Sequence, residues 1–230
     1  MKKSIFFPAI AMIFASAASA FAGNLQPKFN DGDEPKQQAT DLVSKASWMI
    51  ILNFDNNDSL NSAKSLCDQA LVLDPECVDA YVQRGDANYF LGQFEEGLKD
   101  FDAAVAKRGN GDDYQCRGEC KFNLEDLEGA LADYKMAAQK GENDEASGAF
   151  LASADANRLG IKLYNAQKYD LAVEAFTLSV NAGPTSTNIY NRANAEYLSG
   201  DTSGALADWK TAGKMGNKEA KRSYRKFRKA

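Results

Sequence analysis

A block of about 33 residues recurs along this 230-residue chain, and that period decides what the chain can fold into. The clearest copy is YVQRGDANYFLGQFEEGLKDFDAA, from Tyr81 to Ala104. Its first half places Tyr81, Gly85, Asn88 and Tyr89 at spacings of three and four. Its second half does the same with Phe94, Gly97, Leu98, Phe101 and Ala104. Such spacing is helical, because strands alternate every second residue. Leu91-Gly92-Gln93 supplies a turn between the halves. Ala63, Cys67, Ala70 and Pro75 precede their counterparts by 34 residues, and RGECKFNLEDLEGALADYKMAA follows 33 residues after RGDANYFLGQFEEGLKDFDAA. LGIKLYNAQKYDLAVEAFTLSV and RANAEYLSGDTSGALADWKTAG are two further copies, from Leu159 and Arg192. One helical hairpin cannot bury its apolar face alone, so repetition at this period predicts stacked helix–turn–helix units.

Each copy carries a small residue in its first helix (Gly85, Gly118, Gly160, Ala193). The second helix carries another (Ala63, Gly97, Ala130, Ala172, Ala205), a bulky residue four on (Phe101, Tyr134, Phe176, Trp209), and a third small one (Ala104, Ala137, Ser179, Ala212). Gly92 and Gly200 mark turns, and Pro75 and Pro184 fall near repeat ends. This pattern resembles the tetratricopeptide repeat. KMAAQKGENDEA and KTAGKMGNKEA also resemble the Sel1-like repeat. The resemblance implies an all-α, right-handed superhelical solenoid of about five repeats plus a C-terminal capping helix. The expected boundaries are a signal peptide at 1–22, a flexible polar arm at 23–38, an array at 39–216 and a basic capping helix at 217–230. Within the array the repeats fall near 44–77, 78–110, 111–144, 153–185 and 186–216.

Lys2 and Lys3 precede an apolar run from Ile5 to Ala15, followed by small residues with cleavage patterns at Ala18-Ser19-Ala20 and Ala20-Phe21-Ala22. This reads as a bacterial-type signal peptide, so the chain is expected to be exported, to the periplasm or beyond. A membrane anchor is the weaker reading, because the run is short and no basic flank follows it. Polar residues 23–38 read as a flexible arm or a spacer.

The formal charge of −5 is unevenly spread: residues 214–230 hold eight Lys/Arg and one Glu, while residues 23–213 hold seventeen Lys/Arg against thirty-one Asp/Glu. An acidic body disfavours nucleic acid. No histidine is present, which removes the commonest general base and metal ligand. Neither a metal site nor a cofactor is expected, and no enzyme activity. Cys67, Cys77, Cys116 and Cys120 permit disulfides in an exported chain. Cys67 stands where other copies have a large core residue, which favours a small buried hydrophobe.

Pro35 to Thr40 should open the first helix, which should run to about Phe54, with Asp58 or Ser59 capping the second. Some eight extra residues before the fourth repeat predict either a lengthened first helix, starting near Asp144 or Glu145, or an extra loop. In the tail, Ala220, Tyr224 and Phe227 share one helical face. Lys221, Arg222, Arg225, Lys226, Arg228 and Lys229 form a basic surface that can cap the array or touch an anionic partner or membrane surface.

In the family the first helices line the concave groove. Spacing then points Trp48 and Leu52 inward in the first repeat, and Asp79, Val82, Asp86 and Tyr89 in the second. Asp112, Gln115, Glu119 and Phe122 follow in the third, Asn157, Ile161 and Tyr164 in the fourth, and Tyr190, Asn194 and Tyr197 in the fifth. Tyr89, Phe122, Tyr164 and Tyr197 occupy equivalent places as an aromatic ladder, and four acids gather in the N-terminal half. The Lys, Asn and Arg clamp that some relatives use on chaperone tails has no counterpart at Trp48, Leu52, Asp79 and Gln83. These features favour a scaffold for a protein or peptide with basic and apolar side chains. The alternative is a cell-wall or glycan binder that uses the ladder and the tail. Asp79 and Asp86 are two turns apart and could form a carboxylate pair, though such spacing is ordinary on helices.

Overall fold

The computed structural model describes residues 34–141 and 148–228, with side chains omitted at 148–153; the expected signal peptide, most of the arm and Lys229 lie outside the described residues. Among the described residues there are eleven α-helices and no strands. The chain divides into two compact units at Gly109–Asn110.

The first unit holds α1 (Glu34–Leu52), α2 (Asn57–Leu73), α3 (Val78–Phe90) and α4 (Phe94–Lys107). Consecutive helices pair as hairpins, and α1 also lies beside α3. The second unit holds α5 (Gly111–Asn123), α6 (Leu127–Gly141), α7 (Gly148–Asn165), α8 (Tyr169–Ala182), α9 (Ser186–Ser199), α10 (Thr202–Lys214) and α11 (Lys218–Phe227). Here α5/α6, α7/α8 and α9/α10 are the hairpins, and the first helices α5, α7 and α9 neighbour one another.

Local chemistry sets the helix ends. Asn56, not Asp58 or Ser59, caps α2, accepting from the Ser59 N–H at 3.0 Å. Asp58 lies in the first turn, where its charge faces the free N–H groups. Asn110 and Asp113 form a reciprocal capping box on α5, and Thr185 and Asn188 another on α9. α7 has 18 residues against 13 or 14 in α3, α5 and α9, so extra residues do lengthen this helix; its expected start at Asp144 or Glu145 lies outside the described residues.

The conserved look of each hairpin has a steric cause. In α3, a Cβ added at Gly85 would sit 2.8 Å from the Phe101 ring. At Gly118 it would meet Tyr134 at 2.7 Å, and at Gly160 it would meet Phe176 at 2.6 Å. Each ring rests on bare backbone of the partner helix. The first repeat swaps the sizes: Ile51 takes the glycine place and Cys67 the ring place. Gly118→Ala should therefore destabilise the second unit by about 1–3 kcal/mol, read as a lower urea midpoint. An unchanged midpoint would mean that Tyr134 can shift freely.

Phe227 of α11 lies against Tyr197 (centroids 4.6 Å) and stacks on Trp209 (5.4 Å), and Ala220 is fully buried. The apolar face of the basic helix is thus spent on the last hairpin, and Lys221, Arg222, Arg225, Lys226 and Arg228 stay exposed.

Candidate binding face on the first helices

Two sets of polar groups join the first helices to the second helices of their own hairpins, an inner set and a set at the ring. The inner set follows a rule that the helical spacing did not reveal. An arginine just before the small residue bonds an aspartate just before the ring, 16 residues on. Arg84 grips Asp100 with Nη2–Oδ1 at 2.6 Å and Nε–Oδ2 at 3.1 Å. Arg117 grips Asp133 at 2.7 and 2.9 Å, and Arg192 grips Asp208 at 2.6 and 3.1 Å. Bidentate geometry of this kind is strong and directional. A third residue joins each layer. Asn88 donates to Asp100 at 3.1 Å, Lys121 reaches Asp133 at 2.8 Å, and Glu196 approaches Arg192 at 3.6 Å. Glu196 is pushed up to about 7, by burial first and then by Asp208. The fourth hairpin replaces the whole layer with Leu159, Leu163 and Ala175, all fully buried.

The second set is a matched pair between the residue just after the small one and the ring 15 places on. Tyr134 donates its hydroxyl to Glu119 at 2.6 Å, and Trp209 donates its indole N–H to Asn194 at 2.9 Å. Ile161 and Phe176 hold these places in the fourth repeat, and Leu52 and Cys67 in the first, so neither place carries a polar group that needs a donor. Only the second repeat is mismatched, where Asp86 is set against Phe101, a ring with no donor.

The predicted site residues divide accordingly. In the first unit, Trp48 is 49% exposed and Leu52 70%. Asp79 is exposed and bonded to Arg108 at 2.7 Å, while Val82 is half-buried. Tyr89 packs edge-on against Phe90 and Phe94. Asp86 is buried, with 4% of its surface left, and burial alone pushes its carboxyl up to about 7. The expected Asp79/Asp86 carboxylate pair is therefore split between an ion-paired surface acid and a desolvated one.

In the second unit, Gln115 of α5 donates to Asp155 of α7 at 3.2 Å, and Arg158 reaches both Asp155 (3.0 Å) and Glu119 (3.6 Å). Burial, then the charge of Glu119, pushes Asp155 up to about 7. Asn191 of α9 donates to Asn157 of α7 at 3.1 Å. Ile161 is 42% exposed, Asp112 is half-buried, and Tyr190 packs in the core around Trp209. Spacing pointed to neither Asp155 nor Arg158, because the repeat frame places Asn157, Ile161 and Tyr164 inward in the fourth copy and these two fall outside those places.

Two expectations need correction. Asp86 and Glu119, expected to face the groove, are buried, because helical spacing fixes direction but not depth. The aromatic ladder is not a run of free ring faces. Phe122 is buried beneath Arg158 (4.7 Å) and Lys162 (4.3 Å), Tyr164 packs on Tyr169, and Tyr197 packs on Trp209 and Phe227. A sugar-stacking surface thereby loses its platform. None of the four cysteines is in a disulfide, and burial pushes the Cys67 thiol up to about 12, as suits a core residue. Among the described residues there is no group of three or more His, Cys, Asp or Glu that could hold a metal, and no helix long and apolar enough to cross a membrane.

No family model matches the chain, and no curated protein matches it in sequence. Solved structures do. YrrB, described as a TPR protein with an unusual peptide-binding site, is 21% identical and superposes with a TM-score of 0.59 over 85% of this chain and 96% of its own. MamA is 16% identical, with a TM-score of 0.58 over 82% and 95%. A further MamA structure, of AMB-1, is 18% identical, with a TM-score of 0.55 over 80% and 93%. The repeated hairpins and these superpositions agree: this chain has the fold of the tetratricopeptide-repeat proteins.

Proposed function

We propose that the chain is an exported, non-catalytic scaffold that holds a peptide segment of a partner protein against its first helices. The observation that carries the reading is one repeat position, occupied in turn by Leu52, Asp86, Glu119, Ile161 and Asn194. It is apolar and well exposed at Leu52 in the first unit and at Ile161 in the second, while Asp86 and Glu119 are buried and Glu119 is bonded to Tyr134. Exposed apolar side chains suit a ligand with apolar side chains, and the unpaired Asp86 carboxyl suits a basic one. The peptide-binding site of YrrB, a protein of this fold, supports the same reading. Export rests on the basic, apolar and small-residue order of residues 1–22.

A randomised peptide display against the purified chain tests this reading. Enriched peptides should carry apolar residues together with lysine or arginine. Ile161→Asp, in the second unit, should weaken capture at least fivefold. Val72→Asp, on a second helix at a side chain 82% exposed, should not. Loss with Val72→Asp but not with Ile161→Asp would refute the assignment of the face.

A further inference from the structure

We propose that Asp86 is a recognition carboxyl for a primary ammonium group, the end of a lysine side chain in the bound peptide. The proposal rests on the peptide-binding reading above and names what one of its positions selects. Two hairpins satisfy the residue after the small one from within, Glu119 by the Tyr134 hydroxyl and Asn194 by the Trp209 indole, and two need no donor there because the residue is Ile161 or Leu52. Asp86 alone receives nothing from its ring. Among the described residues it has no hydrogen-bond or ion-pair partner. The neighbouring thiol of Cys67, the ionisable group of α2 within electrostatic reach, stays neutral. A buried carboxyl without a partner is costly, so an unmatched one points to a donor from outside the chain.

The tip of the side chain remains reachable. Among the described residues, the side-chain atoms that are both sealed from solvent and without a partner are Asn88 Oδ1 and Glu196 Oε2. The Asp86 oxygens are not among them, so its small remaining surface lies at the carboxyl. So little exposed carboxyl surface suits the compact ammonium of lysine better than the broad planar guanidinium of arginine. Val82 and Tyr89, half-buried one turn to either side, supply apolar walls for the lysine stem.

Phe101→Tyr offers a test that keeps the fold. Phe101 rests on Gly85 as Tyr134 rests on Gly118, so the added hydroxyl falls where Tyr134 meets Glu119. The measurement is binding of the full chain to a positional-scanning library of N-acetylated, C-amidated hexapeptides. A matching library with free N-termini separates a lysine side chain from a peptide amine. Lysine should be preferred at one position at least tenfold over norleucine, glutamine and arginine. Asp86→Asn and Phe101→Tyr should each abolish that preference and leave apolar preferences at other positions unchanged. Binding without a lysine preference, or a preference that survives both substitutions, overturns the proposal and leaves the scaffold reading standing. A preference only for the free N-terminus overturns it in favour of the peptide amine, and no binding to either library overturns both readings.

Discussion

Replacing Asp133 by alanine should cost the second unit about 3–5 kcal/mol. Asp133 is 2% exposed, and it neutralises Arg117 through two hydrogen bonds and Lys121 through a third. Without it, Arg117 and Lys121 lose the carboxylate that they share, at a place where little water can replace it. The cost is that of stranding the cations and exceeds the net contribution of the intact layer. The fourth hairpin shows the way back: Leu159, Leu163 and Ala175 occupy the same three places. The triple substitution Arg117→Leu, Lys121→Leu, Asp133→Ala should therefore recover most of the loss and can exceed the native stability by about 1–4 kcal/mol. Urea unfolding of the three proteins settles the matter. A cost below about 1 kcal/mol for Asp133→Ala would place the ion layer with exposed surface pairs, which contribute that little.

The stacked hairpins are legible in the sequence because their steric demands are local. Gly85 and Phe101, Gly118 and Tyr134, and Gly160 and Phe176 each state a close approach in two residues, and the period repeats that statement. The ion layer was also written down, as Arg-Gly or Arg-Ala followed 16 residues later by Asp-Phe, Asp-Tyr or Asp-Trp. It is harder to read because the partners lie on opposite sides of a turn, and because two copies replace charge by Leu159/Ala175 and Ile50/Leu66. Depth was not legible at all. Asp79 and Asp86 share a face by spacing, yet one is paired at the surface and the other desolvated. Likewise Phe122 reads as a ladder ring but is roofed by Arg158 and Lys162, which come from a helix whose register the extra residues before it had obscured.

Stability should fall, not rise, as pH goes from about 4 to 7, and Asp86 should account for much of the slope. Its carboxyl is raised to about 7 in the folded chain, against about 3.9 for an unfolded aspartate. Between those values the folded state holds a proton that the unfolded state has released. The favourable contribution is complete below about pH 4 and disappears as pH passes 7. A shift of this size corresponds to about 4 kcal/mol. Asp155 and Glu196, also raised by burial, push in the same direction. Asp86→Leu copies the first repeat, where Leu52 holds the same position. At pH 8 the variant should be several kcal/mol more stable than the native chain, and near pH 4 the two should converge. Urea midpoints at pH 4.5, 6 and 8 measure this directly. If native and variant chains keep the same separation at all three values, Asp86 is ionised throughout and must be stabilised by a group that its surroundings do not show.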